Sequence, residues 1–473
     1  MTIAEHPSAA DESRAVAAST PFLDQANRLS AVPNPALRGN DSVPGDDGRP
    51  VVGHTLDFVR DARALVHGMA AEHGPNFRLR MFGHPVFVVG HPDAVRTVLM
   101  DAEKNFSSRL GWQHAIGELF ARGLMLRDFE EHRVHRKIMQ IAFRADAMRG
   151  YVDMMNPLIE RGLDGWSGRD ELRFYDAIKQ LTLDLGAAVF VGTELGAEAD
   201  RINEAFVDSV QASIAIVKRE VPLLSYRRGM QGRRLLERFF AERIPERREG
   251  DGRDMFSEFC HATTEDGDSF DDQQIVDHMI FLLMAAHDTT TSSLTSMAWA
   301  LAQYPEWQER LRREMDAVEG RYLSWSDRDA LEQTSWVFKE ALRLFPPVPF
   351  IGRRAVRDCE LGGVQIPANS AINVCSLVTH YLGEFWTRPF DFDPERFSRE
   401  RREDKRHSHS WYAFGGGAHT CLGMHFADLQ VKAFLLQFLR RFRIELPPGY
   451  QLRMRPIPIP KPSDGLPLRL HAI

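Results

Sequence analysis

The sequence predicts a mainly α chain with small β-sheets, an α+β architecture, and three observations support that class. Amphipathic helix-period runs fill most of the stretch from Met154 to Arg243, and further helices are expected from Ser269 to about Gln303, mostly apolar, and from Leu422 to Phe442, largely buried. Period-two alternation is confined to short pieces: Phe77 to Met81, Val86 to Val89, and the pair Cys359–Leu361 and Val364–Ile366 around a Gly362-Gly363 turn. At 473 residues with 43% hydrophobic content, the chain can bury a large core.

Composition narrows the function classes. A net charge of -7 argues against nucleic acid as a partner. The four cysteines (Cys260, Cys359, Cys375 and Cys421) show neither zinc-type spacing nor a disulfide framework, which points to a reducing, cytoplasmic home. Residues 1–43 lack the basic and apolar regions of a signal peptide and read as a mobile tail. The most apolar run, Ile280 to Ala286, is too short to span a bilayer, so no membrane anchor is expected.

In chain order, Pro44-Gly45 and Arg49-Pro50 mark a stiff entry loop, and Thr55 to His73 carries a helix pattern closed by Gly74-Pro75. A β-hairpin turns at Gly83-His84, and Gly90-His91-Pro92-Asp93 opens a short helix. Arg109 to Arg127 is irregular, a loop with a short helix. Asp128 then begins a helix that puts His132 and Arg136 on one face. Breaks at Gly165–Gly168 and near Pro222 divide the long helical stretch.

Ser269-Phe270-Asp271-Asp272 caps a helix running to about Gln303, whose centre, Ala285 to Ser293, is polar although its flanks are apolar. The hydroxyls of Thr290, Thr291, Ser292 and Ser293 are expected to bond back to carbonyls of the preceding turn. Asp288-Thr289 differs, because a buried carboxylate is costly without a partner or a task. Glu340 and Arg343 stand i,i+3 on the helix from Trp336 to Leu344, a spacing that usually gives a solvated pair worth little. The extended segment Asp391 to Phe397 leads to the glycine-rich loop Phe414 to Gly423, which ends at Cys421 before the last helix. A cysteine at a helix N-terminus feels the positive end of the dipole, which favours thiolate, and consecutive glycines let a flat, bulky group approach. Alone, this loop supports two readings equally: a thiolate ligand for a metal inside a planar cofactor, or a merely buried cysteine.

Four segments, in this order, resemble the signatures of the cytochrome P450 superfamily, in particular its soluble bacterial-type haem-thiolate monooxygenases. They are the small-small-x-Asp-Thr motif Ala285 to Thr289, the helical Glu-x-x-Arg of Glu340 to Arg343, Pro394-Glu395-Arg396-Phe397, and the Phe-Gly-x-Gly-x-His-x-Cys-x-Gly loop Phe414 to Gly423. The resemblance covers Pro44 to Leu470. It implies one catalytic domain over 44–473, with β-rich parts near 44–100 and 350–385. The implied fold is a triangular helical prism holding haem between the long central helix and the cysteine-loop helix.

Residue by residue, the resemblance implies that Cys421 is the axial ligand of haem b (iron-protoporphyrin IX), the thiolate ligation typical of this family. Gly415, Gly417 and Gly423 shape the loop, the last two by letting the backbone turn tightly around the sulfur, and Phe414 packs against sulfur and macrocycle. His132, Arg136, Arg353 and His419 neutralise the propionates, although many members carry Trp in place of His132. Ala285 lies beside the cofactor, and Ala286 stands where Gly is common. Asp288 and Thr289 relay protons for O2 activation. Glu340, Arg343 and Arg396 form a buried network. Arg109–Leu124, Ile214–Tyr226, Phe281–Ala285, Val348–Phe350 and Ile457–Ile459 line an apolar pocket for a lipophilic small molecule of terpenoid, steroid or fatty-acyl type.

With no room for a reductase module, electrons are expected from a ferredoxin and its flavin-dependent reductase. Arg399, Arg401, Arg402, Lys405 and Arg406 could dock an acidic ferredoxin, but interleaved Glu400, Glu403 and Asp404 favour a solvated mixed-charge loop. Two other readings are a haem sensor or carrier without turnover, and a zinc site of His419, Cys421 and His425.

Overall fold

The computed structural model describes residues 43–473 apart from 82, 194–195, 214, 216–217 and 456–458. The expected tail therefore lies outside the described residues except for Val43, as do the pocket positions Ile214 and Ile457.

The helices are α1 (Thr55–His73), α2 (Pro92–Met100), α3 (Ser108–Ile116), α4 (Phe129–Met139), α5 (Ala145–Asp164), α6 (Phe174–Gly186), α7 (Ala197–Ser213), α8 (Ser225–Glu249), α9 (Met255–His261), α10 (Asp272–Gln303), α11 (Pro305–Met315), α12 (Glu332–Leu344), α13 (Ser376–Thr379) and α14 (Met424–Arg441). The expected loop over 109–127 thus contains α3, which Ser107 caps by accepting a hydrogen bond from the Leu110 N–H. The central helix α10 starts at a capping box: Asp271 accepts from the Gln274 N–H at 2.7 Å, and Gln274 accepts in return from the Asp271 N–H at 3.1 Å. It is buried on nearly every face, which explains why its hydrophobic pattern is continuous rather than amphipathic.

The strands are β1 (Asn76–Met81), β2 (His84–Val89), β3 (Phe106–Ser107), β4 (Glu171–Arg173), β5 (Phe350–Ala355), β6 (Cys359–Leu361), β7 (Val364–Ile366), β8 (Ala371–Cys375), β9 (Phe442–Glu445), β10 (Met454–Arg455), β11 (Lys461–Pro462) and β12 (Pro467–Ala472). The expected hairpins β1–β2 and β6–β7 form. The largest sheet has the order β1-β2-β8-β5-β3, with β2 parallel to β8. It brings Ser107 opposite Arg354 and so joins the chain ahead of α3 to a strand some 250 residues later. Strand β12 lies between β4 and β9, tying the chain end to the start of α6.

One apolar cluster runs from Val66 to Leu470 through α5, α6, α10, α12 and α14. Each fully buried aromatic in it, such as Phe174 or Phe438, contributes about 1.5–3 kcal/mol. A second cluster, including Phe87, Val95, Leu99, Ile372 and Tyr412, packs α2 against the sheet and reaches the cysteine loop.

Candidate active site

The loop before α14 is folded by its own backbone. The Cys421 N–H donates to Phe414 O at 2.8 Å, and the Gly415 N–H to Tyr412 O at 2.8 Å. Gly417 has φ +60°, and a Cβ there would stand 2.0 Å from the Leu99 carbonyl oxygen. Glycine is needed at this position both for its left-handed backbone and to seat the loop on α2. Gly423 has φ −85°, an added Cβ there would meet nothing nearer than the Phe143 ring at 3.9 Å, and its N–H faces the Cys421 sulfur. The Phe414 ring lies edge-on to Trp411 and to Phe338 of α12.

Cys421 is accessible to water, yet burial pushes its thiol up against the opposing Gly423 N–H and Arg136 charge. The sulfur is thus surrounded by protein yet not covered by it. Burial therefore outweighs the helix-terminus effect expected from sequence, and metal ligation is what would deprotonate this sulfur outright.

Four cation-capable side chains gather near this loop. Arg136 Nη1 donates to Thr420 O at 2.7 Å, one residue from the cysteine. The His132 and His419 rings lie 3.8 Å apart between centroids. Burial holds His132 down to about 3, with Arg136 and Arg353 adding to it, and holds His419 well below the usual histidine range. Burial lowers Arg353 to about 10, although Asp128 and Asp101 oppose it. Arg353 Nη1 donates to Gly352 O at 2.8 Å and to Ser108 Oγ at 3.3 Å. Asp128, which sequence reasoning did not single out, braces this region by accepting from the Ser108 and Arg109 N–H groups at 2.8 and 3.0 Å. Among the described residues no carboxylate stands within 4 Å of the Arg136 or Arg353 guanidinium, and His132 Nε2 is buried without a partner. A cofactor with two carboxylates suits this excess of cations.

On α10, Thr289 Oγ1 donates to Ala285 O at 2.8 Å, and Thr290, Thr291 and Ser293 likewise bond back one turn. Ser292 departs from expectation: its hydroxyl donates to Pro460 O at 2.7 Å, far along the chain. Asp288 is buried with Lys179 Nζ at 3.7 Å and His287 Nδ1 at 3.2 Å, the latter too poorly aligned for a hydrogen bond. Desolvation favours the neutral acid, but His287, Lys179 and Lys461 together overcome it and hold the carboxyl below its ordinary value. Ala285 is only partly buried; among the other expected pocket residues, Phe281 packs on Gly123.

Glu340 and Arg343 are wholly buried rather than solvated. Arg343 donates to both Glu340 oxygens at 2.7 and 2.8 Å, and Arg396 Nε reaches Glu340 at 3.1 Å. Glu403 extends the network to Arg396 at 3.1 Å and to Arg401 at 2.6 Å. The basic stretch expected to meet a ferredoxin is thereby largely consumed: Arg399 pairs with Glu332, Arg401 with Asp393, Arg406 approaches Glu403, and Lys405 lies beside Asp404. The zinc alternative finds no support, because no three metal-ligating side chains converge among the described residues.

An exposed thiol beside two guanidinium groups without carboxylate partners and two neutral imidazoles, on the loop that precedes the last helix, suits an anionic, metal-bearing cofactor. A model of the family described as Cytochrome P450 matches residues 43–466. Cytochrome P450 136 of Mycobacterium tuberculosis is 40% identical over 448 residues, covering 92% of this chain and 90% of its own. Taxane 10-beta-hydroxylase of Taxus cuspidata is 26% identical over 449 residues, 90% of this chain and 89% of its own. The solved structure of retinoic acid bound cyanobacterial CYP120A1 superposes with a TM-score of 0.82 at 27% identity, covering 91% of this chain and 99% of that one. The chain belongs to the cytochrome P450 family: it is a haem b-binding monooxygenase with the P450 fold. Among the described residues no helix is long and apolar enough to cross a membrane.

Proposed function

We propose that a single catalytic domain over 44–473 hydroxylates a lipophilic substrate of terpenoid, steroid or fatty-acyl type, with electrons from a ferredoxin and its reductase. The terpenoid class comes first, because taxane and retinoic acid, in the names of a relative and of a structural neighbour, are isoprenoid compounds. The observation that carries the site assignment is the exposed Cys421 thiol with Arg136 bonded to the carbonyl of the preceding residue, Thr420.

Haem b, when bound, supplies the iron that activates O2 for insertion of one oxygen atom into a C–H bond. Cys421 would ligate its iron through the thiolate, and Phe414, Gly415, Gly417 and Gly423 form the loop that carries this cysteine. Arg136, His132, His419 and Arg353 take the propionates by charge-assisted hydrogen bonds, with Arg136 fixed through Thr420 O. Ala285 and its neighbours border the cofactor on α10. Asp288 holds and releases a proton at its carboxylate, and Thr289 Oγ1, donating to Ala285 O, offers its lone pairs to a water beside it.

The test is the spectrum of reduced protein under carbon monoxide. A red-shifted Soret band that Cys421→Ala abolishes is expected; a band that survives the substitution ends the ligand assignment. Asp288→Asn and Thr289→Ala should each divert reducing equivalents to hydrogen peroxide while leaving that band in place. Retinoids and taxanes should displace iron-bound water and shift the oxidised Soret band.

A further inference from the structure

Lys461 lies outside every motif in the sequence. It opens β11, in a segment held against α10 by the Ser292 hydroxyl, which donates to Pro460 O at 2.7 Å. Ser292 stands one helical turn beyond Asp288 and so shares its face of α10. The clamp thus fixes the backbone next to Lys461 close to the buried acid.

The side chain is also placed from the other side. Lys461 Nζ lies 5.3 Å from the centre of the Tyr175 ring on α6. One turn further along α6, Lys179 reaches Asp288 at 3.7 Å. Lys461 forms no ion pair within 4 Å among the described residues, although it is partly buried. It is also part of the wall of a cleft of about 400 Å³ shared with Arg173, Tyr175, Asp176, Arg455 and Asp464. The same side chain therefore belongs to a cleft open to water and to the electrostatic environment of a buried carboxylate.

We infer that Lys461, clamped by Ser292 through Pro460, is a positioning residue for Asp288, and that the cleft between β10–β11 and the start of α6 is the water-facing side of that acid. The catalytic part rests on the proton-handling role of Asp288 proposed above. A buried carboxylate that exchanges protons must remain ionised until a proton arrives; the His287 ring at 3.2 Å and the Lys179 ammonium at 3.7 Å work against its desolvation, and a second ammonium charge adds to them. Lys461 supplies that second charge from the side where water enters. In the exchange a proton passes from water in the cleft to the Asp288 carboxylate; Lys461 keeps its own. The groups facing the acid are His287 on α10, Lys179 and Tyr175 on α6, and Lys461 on β11, with Arg455 and Asp176 behind the last.

The test measures the titration of Asp288 in haem-loaded protein labelled with 13C-aspartate, by infrared difference against Asp288→Asn. Lys461→Met should raise the carboxyl midpoint by about one pH unit or more, a tenfold gain in proton affinity, and Lys461→Arg should restore it. Ser292→Ala should give a smaller rise and faster acetylation of Lys461 by acetic anhydride, read by mass spectrometry. An unchanged midpoint in Lys461→Met, or acetylation unaffected by Ser292→Ala, overturns the inference. If Asp288→Asn leaves hydrogen peroxide release unchanged, the relay reading fails instead, whatever the Lys461 variants do to the midpoint.

Discussion

Replacing Glu340 by Gln keeps its shape and removes one charge from the most deeply buried polar network in the molecule. Glu340 accepts four hydrogen bonds: from Arg343 Nε and Nη2 at 2.7 and 2.8 Å, Arg396 Nε at 3.1 Å and the Asp393 N–H at 2.9 Å. An amide can satisfy three of these through its oxygen, but its NH2 then faces Arg343 Nε, donor against donor. The two arginines are not equally affected. Arg396 keeps the Glu403 carboxylate at 3.1 Å, whereas Arg343 is left with no carboxylate, only the amide oxygen and the carbonyls of His380, Pro389 and Asp391. Breaking one side of a buried pair costs about 3–5 kcal/mol, because a charge stays buried without its counterion. Glu403→Gln should cost less, about 1–3 kcal/mol, since Arg396 retains Glu340 and Arg401 retains Asp393. Urea unfolding followed by far-UV circular dichroism measures both variants. If Glu340→Gln unfolds within about 1 kcal/mol of the parent protein, or Glu403→Gln costs as much, the reasoning about unequal orphaning is refuted.

Three further outcomes follow from the same geometry. His380 is held neutral: its Nδ1–H donates to Arg343 O at 3.2 Å, its Nε2 accepts the Tyr412 N–H at 3.3 Å, and burial pushes its imidazole down to about 3. Its folded value lies below the unfolded one of about 6.5, so its stabilisation is complete above that pH and declines toward pH 3 by about 1.4 kcal/mol per unit. His380→Gln should flatten the fall in urea midpoint between pH 7 and 5, and an equally steep fall would exclude this histidine as the cause. Gly417→Ala should unseat the cysteine loop from α2 and speed haem loss, while Gly423→Ala should behave as the parent, compared by transfer of haem to apomyoglobin. In the same assay Arg136→Ala should release haem faster than His132→Ala, because only Arg136 is tied to the residue before the cysteine.

Local patterns made much of the fold legible. The hairpin β1–β2, the capping box of α10 and the cysteine loop each carry their signal within a few residues, and each forms as the pattern predicts. Strands β5 and β8 fall in the β-rich part near 350–385 that the resemblance implied, but no short-range period marks them: besides pairing with each other, β5 meets β3 some 250 residues earlier and β8 runs parallel to β2. The candidate site divides the same way. The positions that match family motifs were readable, whereas Asp128, Lys179, Glu403 and Lys461 act through partners distant in sequence or hidden in a mixed-charge run. Ser292 shows the limit most clearly. Its neighbours Thr290, Thr291 and Ser293 satisfy themselves on their own helix, and nothing in their shared composition marks the one hydroxyl that reaches Pro460.

Cys421 is carried on a loop pinned from three sides, and the pin at Tyr412 gives a graded prediction. Leu99 of α2 meets Gly417, Trp411 Nε1 donates to Lys339 O of α12 at 3.3 Å, and the Tyr412 hydroxyl lies 2.7 Å from Thr379 Oγ1. Thr379 spends its own proton on Gly90 O at 2.6 Å, so Tyr412 must be the donor to Thr379. This bond links the loop to the end of β2. Tyr412→Phe removes one donor and leaves Thr379 bonded to Gly90, a loss of about 1 kcal/mol. Thr379→Val removes the acceptor and the donor together, stranding a buried phenol and a buried carbonyl, at about 2–3 kcal/mol. Haem dissociation should quicken in the same order if the pins hold the loop in its ligating shape. Faster loss from Tyr412→Phe than from Thr379→Val would show that Tyr412 acts through a contact other than this bond.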